Sequence, residues 1–135
     1  MRPKKIVLCV NDNQDELSVL KFMLYTNGYR VLAASSGEEA ILLFTEIAVD
    51  LVLADYWIPK MNGNELIGRL KQIANHIPMI LLGDRKKMAE EVIVADALLC
   101  KSTVHAELLD RIKVMAARKR GPRPGIQRVH CEALA

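Results

Sequence analysis

The sequence predicts one doubly wound α/β domain: a five-stranded parallel sheet in the order 2-1-3-4-5, with helices packed on both faces. Three observations predict it. Four apolar runs, Ile6 to Val10, Leu51 to Ala54, Met79 to Leu82 and Ala97 to Cys100, are too short for helices and too uniformly apolar for strands with one wet face, so they read as buried parallel strands. Stretches with helical apolar spacing lie between them. The chain is 135 residues long, enough for one sizeable core and too little for two.

The opening MRPKKIVLCV carries Lys4 and Lys5 but only a short apolar stretch, which runs into Asn11 and Asp12 without a small-residue cleavage site. It reads as the first strand, not a leader. A helix over Glu16 to Thr26 follows, with Leu17, Leu20, Met23 and Leu24 on one face. Asn27-Gly28 is a helix-stop signal, and Arg30 to Ala34 is then the second strand. Ser35-x-x-Glu38 reads as a capping box opening a helix over Glu38 to Ile47. After the third strand comes a helix over Glu65 to Ala74, and after the fourth a helix over roughly Lys87 to Val94. The fifth strand leads to a helix over Ala106 to Ala117, with Leu108, Ile112 and Met115 spaced to face inward. Five βα units in succession require right-handed crossovers and a sheet covered on both faces.

Residues 1 to 118 form the expected domain, and 119 to 135 a basic tail without fixed packing. Composition predicts the tail, because Arg118-Lys119-Arg120-Gly-Pro-Arg-Pro-Gly is rich in charge, Pro and Gly. The net charge of +3 is uneven: residues 1 to 117 hold 14 Lys/Arg against 15 Asp/Glu, and the remainder holds five against Glu132 alone. The tail has neither interleaved aromatics nor a recognition helix, which argues against a nucleic-acid partner. At 51% hydrophobic and 26% charged the chain is globular, and no apolar run approaches the roughly 18 residues of a membrane span. Cys9, Cys100 and Cys131 form no CxxC pair; the first two sit in apolar runs as buried, reduced thiols, which places the protein in the cytoplasm. His76 and His105 lack a second ligand at metal spacing and are expected on the surface.

In sheets of this kind function gathers at the carboxyl ends of the strands, where strand order reverses. Those ends carry Asn11-Asp12, Asp55, Gly83-Asp84 and Lys101. With the first and third strands adjacent, Asp12 and Asp55 should converge. Two carboxylates and a lysine suit a hard divalent cation such as Mg2+ together with a phosphoryl group, and a carboxylate can itself be the nucleophile. Asp12 also suits an N-cap of the first helix.

Val10-Asn11-Asp12-Asn13, Ser36-Gly37-Glu38-Glu39-Ala40, Asp50-Leu-Val-Leu-Ala-Asp55-Tyr-Trp-Ile-Pro59-Lys-Met-Asn-Gly63 and Lys101 resemble the receiver domains of two-component response regulators, over residues 4 to about 118. The resemblance implies a flavodoxin-like fold and a stand-alone signalling module in a phosphorelay. Asp55 would be the phosphoacceptor and Lys101 a clamp on the phosphoryl oxygens at the Gly83 loop. Asp12, Asp55, the Trp57 main-chain oxygen and, more weakly and through water, Asn11 would hold Mg2+. A histidine kinase or small phosphodonor would supply the phosphoryl group and a downstream protein would read it. Such a domain is no enzyme beyond catalysing its own phosphotransfer.

Four positions depart from the family pattern. Asn11 stands where the family has an acid and removes a charge that would help hold the cation. Gly83 replaces a Ser or Thr hydroxyl. Ser102 replaces a proline preceded by a cis bond, so a trans bond is expected, which could displace Lys101. Leu98 replaces the aromatic of the fifth strand, and the stretch from Gly83 to Lys101 is about one helical turn short. Asp84 could supply the charge lost at Asn11, or could cap the fourth helix. Trp57 could gate access to Asp55 or be a steric loop aromatic. These departures support an alternative, a degenerate receiver that binds proteins whatever its phosphorylation state. A third reading, another enzyme on the same fold, lacks a glycine-rich phosphate loop, catalytic triad or metal cluster.

Overall fold

A computed structural model describes residues 4 to 84 and 91 to 117. The elements run β1 (Ile6–Val10), α1 (Gln14–Thr26), β2 (Arg30–Ala34), α2 (Gly37–Glu46), β3 (Leu51–Asp55), α3 (Gly63–Ile73), β4 (Met79–Leu82), β5 (Ala97–Leu99) and α4 (His105–Ala116). All pairings are parallel, in the order β2-β1-β3-β4-β5. The expected tail, and Arg85, Lys86 and Lys87, lie outside the described residues.

The uniform strands are buried on both faces, as their lack of alternation requires. Val7, Cys9, Leu51, Leu53, Ile80 and Leu82 face the side covered by α1 and α4, through Leu17, Leu24, Leu108 and Ile112. Leu8, Val10, Val52, Ala54, Met79 and Leu81 face the side covered by α2 and α3, through Phe44, Leu66, Ile67 and Leu70. Burial pushes the Cys9 thiol up to about 12, with Lys21 opposing slightly, so it is an inert core group.

Local signals end and begin the helices. Gly28 has φ 93°, and Tyr29 N–H donates to Leu24 O at 3.0 Å, which closes α1 as the Asn-Gly pair predicted. The capping box is displaced by one residue from expectation. Ser36 is the extended cap residue, its hydroxyl accepts from Glu39 N–H at 3.2 Å, and the Glu39 carboxylate accepts from Ser35 N–H at 2.8 Å. Asn13, not Asp12, caps α1, taking the N–H groups of Asp15 and Glu16 at 2.9 and 3.1 Å.

Two expectations are corrected. Residues 91 to 94 of the expected fourth helix are not helical; the rest of it lies outside the described residues. Asn64 explains this: its amide donates to Val92 O and its oxygen accepts from Val94 N–H, so a side chain satisfies backbone groups that a helix would pair internally. Cys100 is exposed, because β5 is an edge strand that stops at Leu99.

Candidate functional site

Asp55 is the last residue of β3, paired with Leu82 of β4, and only 2% exposed. The loop after it is tightly fixed. Gly63 N–H donates to Tyr56 O at 2.8 Å. A Cβ at Gly63 would lie 2.3 Å from the Asp55 carbonyl oxygen and 2.8 Å from a Leu81 methyl, so only glycine lets α3 begin this close to the strand end. Lys60 takes a left-handed φ of 71° in the same loop. Asn62 caps α3 by accepting from Glu65 N–H at 2.8 Å.

Lys101, two residues past β5, donates to Asp55 Oδ2 at 3.1 Å, and the same ammonium lies 3.1 Å from Glu16 Oε1. Lys101 is therefore not displaced, although the described peptide bonds are all trans, including that to Ser102. Glu16 also accepts from the Asn11 side-chain amide at 2.8 Å, while Asn11 Oδ1 accepts from Asn13 N–H at 2.9 Å. The orientation of the amide follows from the network, since only its NH2 end can donate to a carboxylate. Asn11 is buried, 2% exposed, and bridges β1 to α1. The chain of contacts runs Asn11, Glu16, Lys101, Asp55.

The charges in this chain are unequally compensated. Burial raises the Asp55 carboxyl above its ordinary range; the Lys101 hydrogen bond and charge oppose this, Glu16 pushes it up again and the Trp57 backbone amide pulls down. Its Oδ1 is buried without a hydrogen-bond partner among the described residues. Glu16 is lowered, first by the Asn11 amide and, against some burial, by Lys101. For Lys101 burial works against the charge, but Asp55 and Glu16 prevail and raise it.

The remaining expected site residues fall around this core. Asp12 is exposed just beyond β1, at the same sheet edge, and takes no part in the network. Among the described residues no three His, Cys, Asp or Glu side chains come together as a metal-holding group. Gly83 is buried, its N–H donating to Leu99 O at 2.9 Å, and Asp84 after it is half-buried. Trp57 is 51% exposed, edge-on to Tyr56 with ring centroids 4.8 Å apart. Leu98 is half-buried in β5 opposite Leu81. His76 and His105 are exposed, as expected.

Two features were not foreseen. Glu16 looked like an ordinary first-turn acid of α1; its place in that first turn, five residues after Asn11, was the only signal. The second is a polar clamp from the Asp55 loop to residues 91 to 94. The Tyr56 hydroxyl donates to the Glu91 carboxylate, which also accepts from the Asn62 and Asn64 amides at 3.4 and 3.3 Å. The three donors spread along sequence gave no periodic signal.

Comparison with known proteins agrees with this geometry. The response regulator receiver domain family model matches residues 7–113. The chain is 34% identical over 116 residues to the transcriptional regulatory protein CpxR of Klebsiella pneumoniae, covering 83% of this chain and 49% of that protein. It is 32% identical over 117 residues to the transcriptional regulatory protein PrrA of Mycobacterium tuberculosis, covering 84% and 50%. The chain thus spans about half the length of the curated relatives it matches. Among solved structures, a response regulator receiver domain protein from Clostridium thermocellum matches with a TM-score of 0.79 at 28% identity, over 86% of this chain and 97% of that one. The response regulator TrrA of Thermotoga maritima, in complex with Mg2+-BeF, matches with 0.76 at 29%, over 82% and 98%. No helix among the described residues is long and apolar enough to cross a membrane. The five-stranded parallel sheet, its strand order and these matches lead to one conclusion: the chain belongs to the response regulator receiver domain family of two-component signalling systems.

Proposed function

We propose that this receiver accepts a phosphoryl group on Asp55. One observation carries the reading: a buried carboxylate ends the central strand with one oxygen on Lys101 and the other without a hydrogen-bond partner among the described residues. A carboxylate attacks phosphorus only when ionised, so a group that burial pushes toward neutrality needs a nearby cation, and Lys101 supplies one. The Asp55 oxygen forms the new P–O bond, and the bond to the donor breaks. A phosphorylated kinase histidine leaves as neutral imidazole after taking up a proton; a small acyl phosphate leaves as a carboxylate. The Lys101 ammonium then faces the new anion.

The donors at the site fit Mg2+. The free Asp55 oxygen, the Asn11 and Asp12 side-chain oxygens next to it in the sheet order, and the Trp57 main-chain oxygen are the hard ligands that this ion takes, usually with several waters. These residues would hold it, Asn11 more weakly. When bound, the ion neutralises charge that builds on the transferring phosphoryl oxygens. Residues 1 to 118 form the functional unit in this reading.

Incubation with a small phosphodonor and Mg2+, followed by intact mass measurement, tests the proposal. Wild type should gain the mass of one phosphoryl group and Asp55→Asn should not; equal gain in both would refute it.

A second reading has its own observation. Gly83 offers no hydroxyl to draw a phosphoryl group inward, and Leu98 has no ring to reorient, so the surface could serve partners in a single state. Identical amide spectra with and without beryllofluoride, despite binding, would favour this degenerate receiver.

A further inference from the structure

Lys101 is the one described cation at Asp55, yet the structure divides it between two carboxylates at equal distance. Glu16 is held to this task from two sides. Its backbone N–H is fixed by the Asn13 cap, and its carboxylate by the buried Asn11 amide, so its charge is not that of a freely rotating surface side chain. Glu16 Oε1 and Asp55 Oδ2 both touch the same nitrogen and so lie at most about 6 Å apart, within the range where one charge shifts another. Glu16 and Lys101 also line one open cleft of about 500 Å³ between α1 and the start of α4.

We propose that Glu16 is a positioning residue that restrains phosphoryl acceptance by holding Lys101 toward α1 and setting a fixed negative charge beside Asp55. The proposal rests on the reading of Asp55 as phosphoacceptor. A phosphoryl group brings nearly two negative charges to this place. In wild type the arriving anion must share the ammonium with Glu16 and bear its repulsion; with a neutral side chain at position 16, all three Lys101 protons are available to Asp55 and the anion. Asn11 is part of the device. An acid at position 11 would set a carboxylate against Glu16 at the 2.8 Å contact, whereas an amide donates there. A neutral residue at position 11 and an acid at position 16 are therefore a matched pair.

Two arms on the full chain test this, comparing wild type with Glu16→Gln and Glu16→Asp. In the first, without metal, the carboxyl carbon of Asp55 is followed by NMR against pH. Glu16→Gln should titrate at lower pH than wild type, because a repelling charge is gone and Lys101 is undivided, with Glu16→Asp in between. In the second, Trp57 fluorescence reports binding of Mg2+ alone and of beryllofluoride in excess Mg2+. Glu16→Gln should bind beryllofluoride roughly three- to tenfold more tightly, the scale of one charge at this distance in a partly aqueous setting, while Mg2+ alone binds no more tightly. Weaker beryllofluoride binding in Glu16→Gln would show that Glu16 merely supports Lys101 and would overturn the proposal. Unchanged titration and unchanged binding would overturn it too. If neither protein bound beryllofluoride while the titration difference persisted, the phosphoacceptor reading would fail and the restraining role with it, though the charge coupling would stand.

Discussion

The two edges of the sheet use the same kinds of group in opposite ways. At the amino edge, Lys71 donates to Asp96 at 2.7 Å and to the Asn75 and Ile77 carbonyls, and Asp96 also accepts from Met79 N–H at 2.8 Å. Asp50 similarly takes Ile6 N–H at 2.8 Å, tying β1 to the start of β3. Each of these carboxylates is braced by backbone at a strand start. At the carboxyl edge, Asp55 is more buried but, among the described residues, has one lysine, shared with Glu16, the pull of the Trp57 backbone amide, and an Oδ1 that completes no hydrogen bond. A buried charge is tolerable when its hydrogen bonds are complete and costly when they are not. The amino edge is built for stability, while the carboxyl edge keeps a carboxylate under-compensated and thus available to a ligand.

Perturbing each edge should separate these roles. Asp96→Ala leaves a mostly buried ammonium without its counter-charge, held only by the Asn75 and Ile77 carbonyls, and the Met79 N–H without its side-chain acceptor. It should destabilise the fold by about 3 kcal/mol in chemical denaturation, with phosphorylation of the surviving folded protein unchanged. A loss no larger than that of a surface ion pair would mean the amino edge is not the brace described. Gly63→Ala acts at the carboxyl edge through backbone, forcing the Asp55 loop and α3 apart; a loss of about 2 kcal/mol is expected. Here phosphoryl acceptance should fall as well, and normal acceptance would show that the loop can relax freely. Tyr56→Phe removes the hydroxyl from the Glu91 clamp. It should cost about 1 kcal/mol and speed amide exchange at Val94, while leaving Met79 and Ile80 protected. Uniform change across the protein would mean that the clamp is not a local fastening.

Much of the carboxyl edge was legible because strand ends are marked by sharp changes from apolar to polar. Asn11, Asp55, Gly83 and Lys101 all sit at such steps, and the strand order brings them to one place. Glu16 was not legible, since a first-turn acid is what any helix favours and only the fold shows that it reaches Lys101. The segment 91 to 94 misled for a related reason: it was read as the end of a helix, but Asn64 satisfies the Val92 carbonyl and the Val94 N–H from another element. Asp12 and Asp55 follow the ends of adjacent strands, but the side-chain network that reaches Asp55, from Asn11 through Glu16 and Lys101, had no counterpart in the sequence reading. Short-range rules locate strand ends and caps; they say little about which long side chains meet across two elements.

The asymmetry between the edges is tested most directly by the stability of Asp55→Asn against pH. The folded carboxyl is raised above its unfolded value, chiefly by burial, so the folded state prefers the neutral form. Wild-type stability from this group is then greatest at low pH and declines as pH rises from the unfolded midpoint through the folded one. Asparagine has the neutral form's shape and no charge. Without metal, Asp55→Asn should therefore melt higher than wild type at pH 7, by a margin worth somewhat under about 1 kcal/mol because Lys101 loses its partner. The margin should shrink as pH falls toward the unfolded midpoint. An Asp55→Asn protein that melts lower than wild type at pH 7, with the deficit closing only in acid, would show that Asp55 is a stabilising ion-pair partner like Asp96 and would contradict the account.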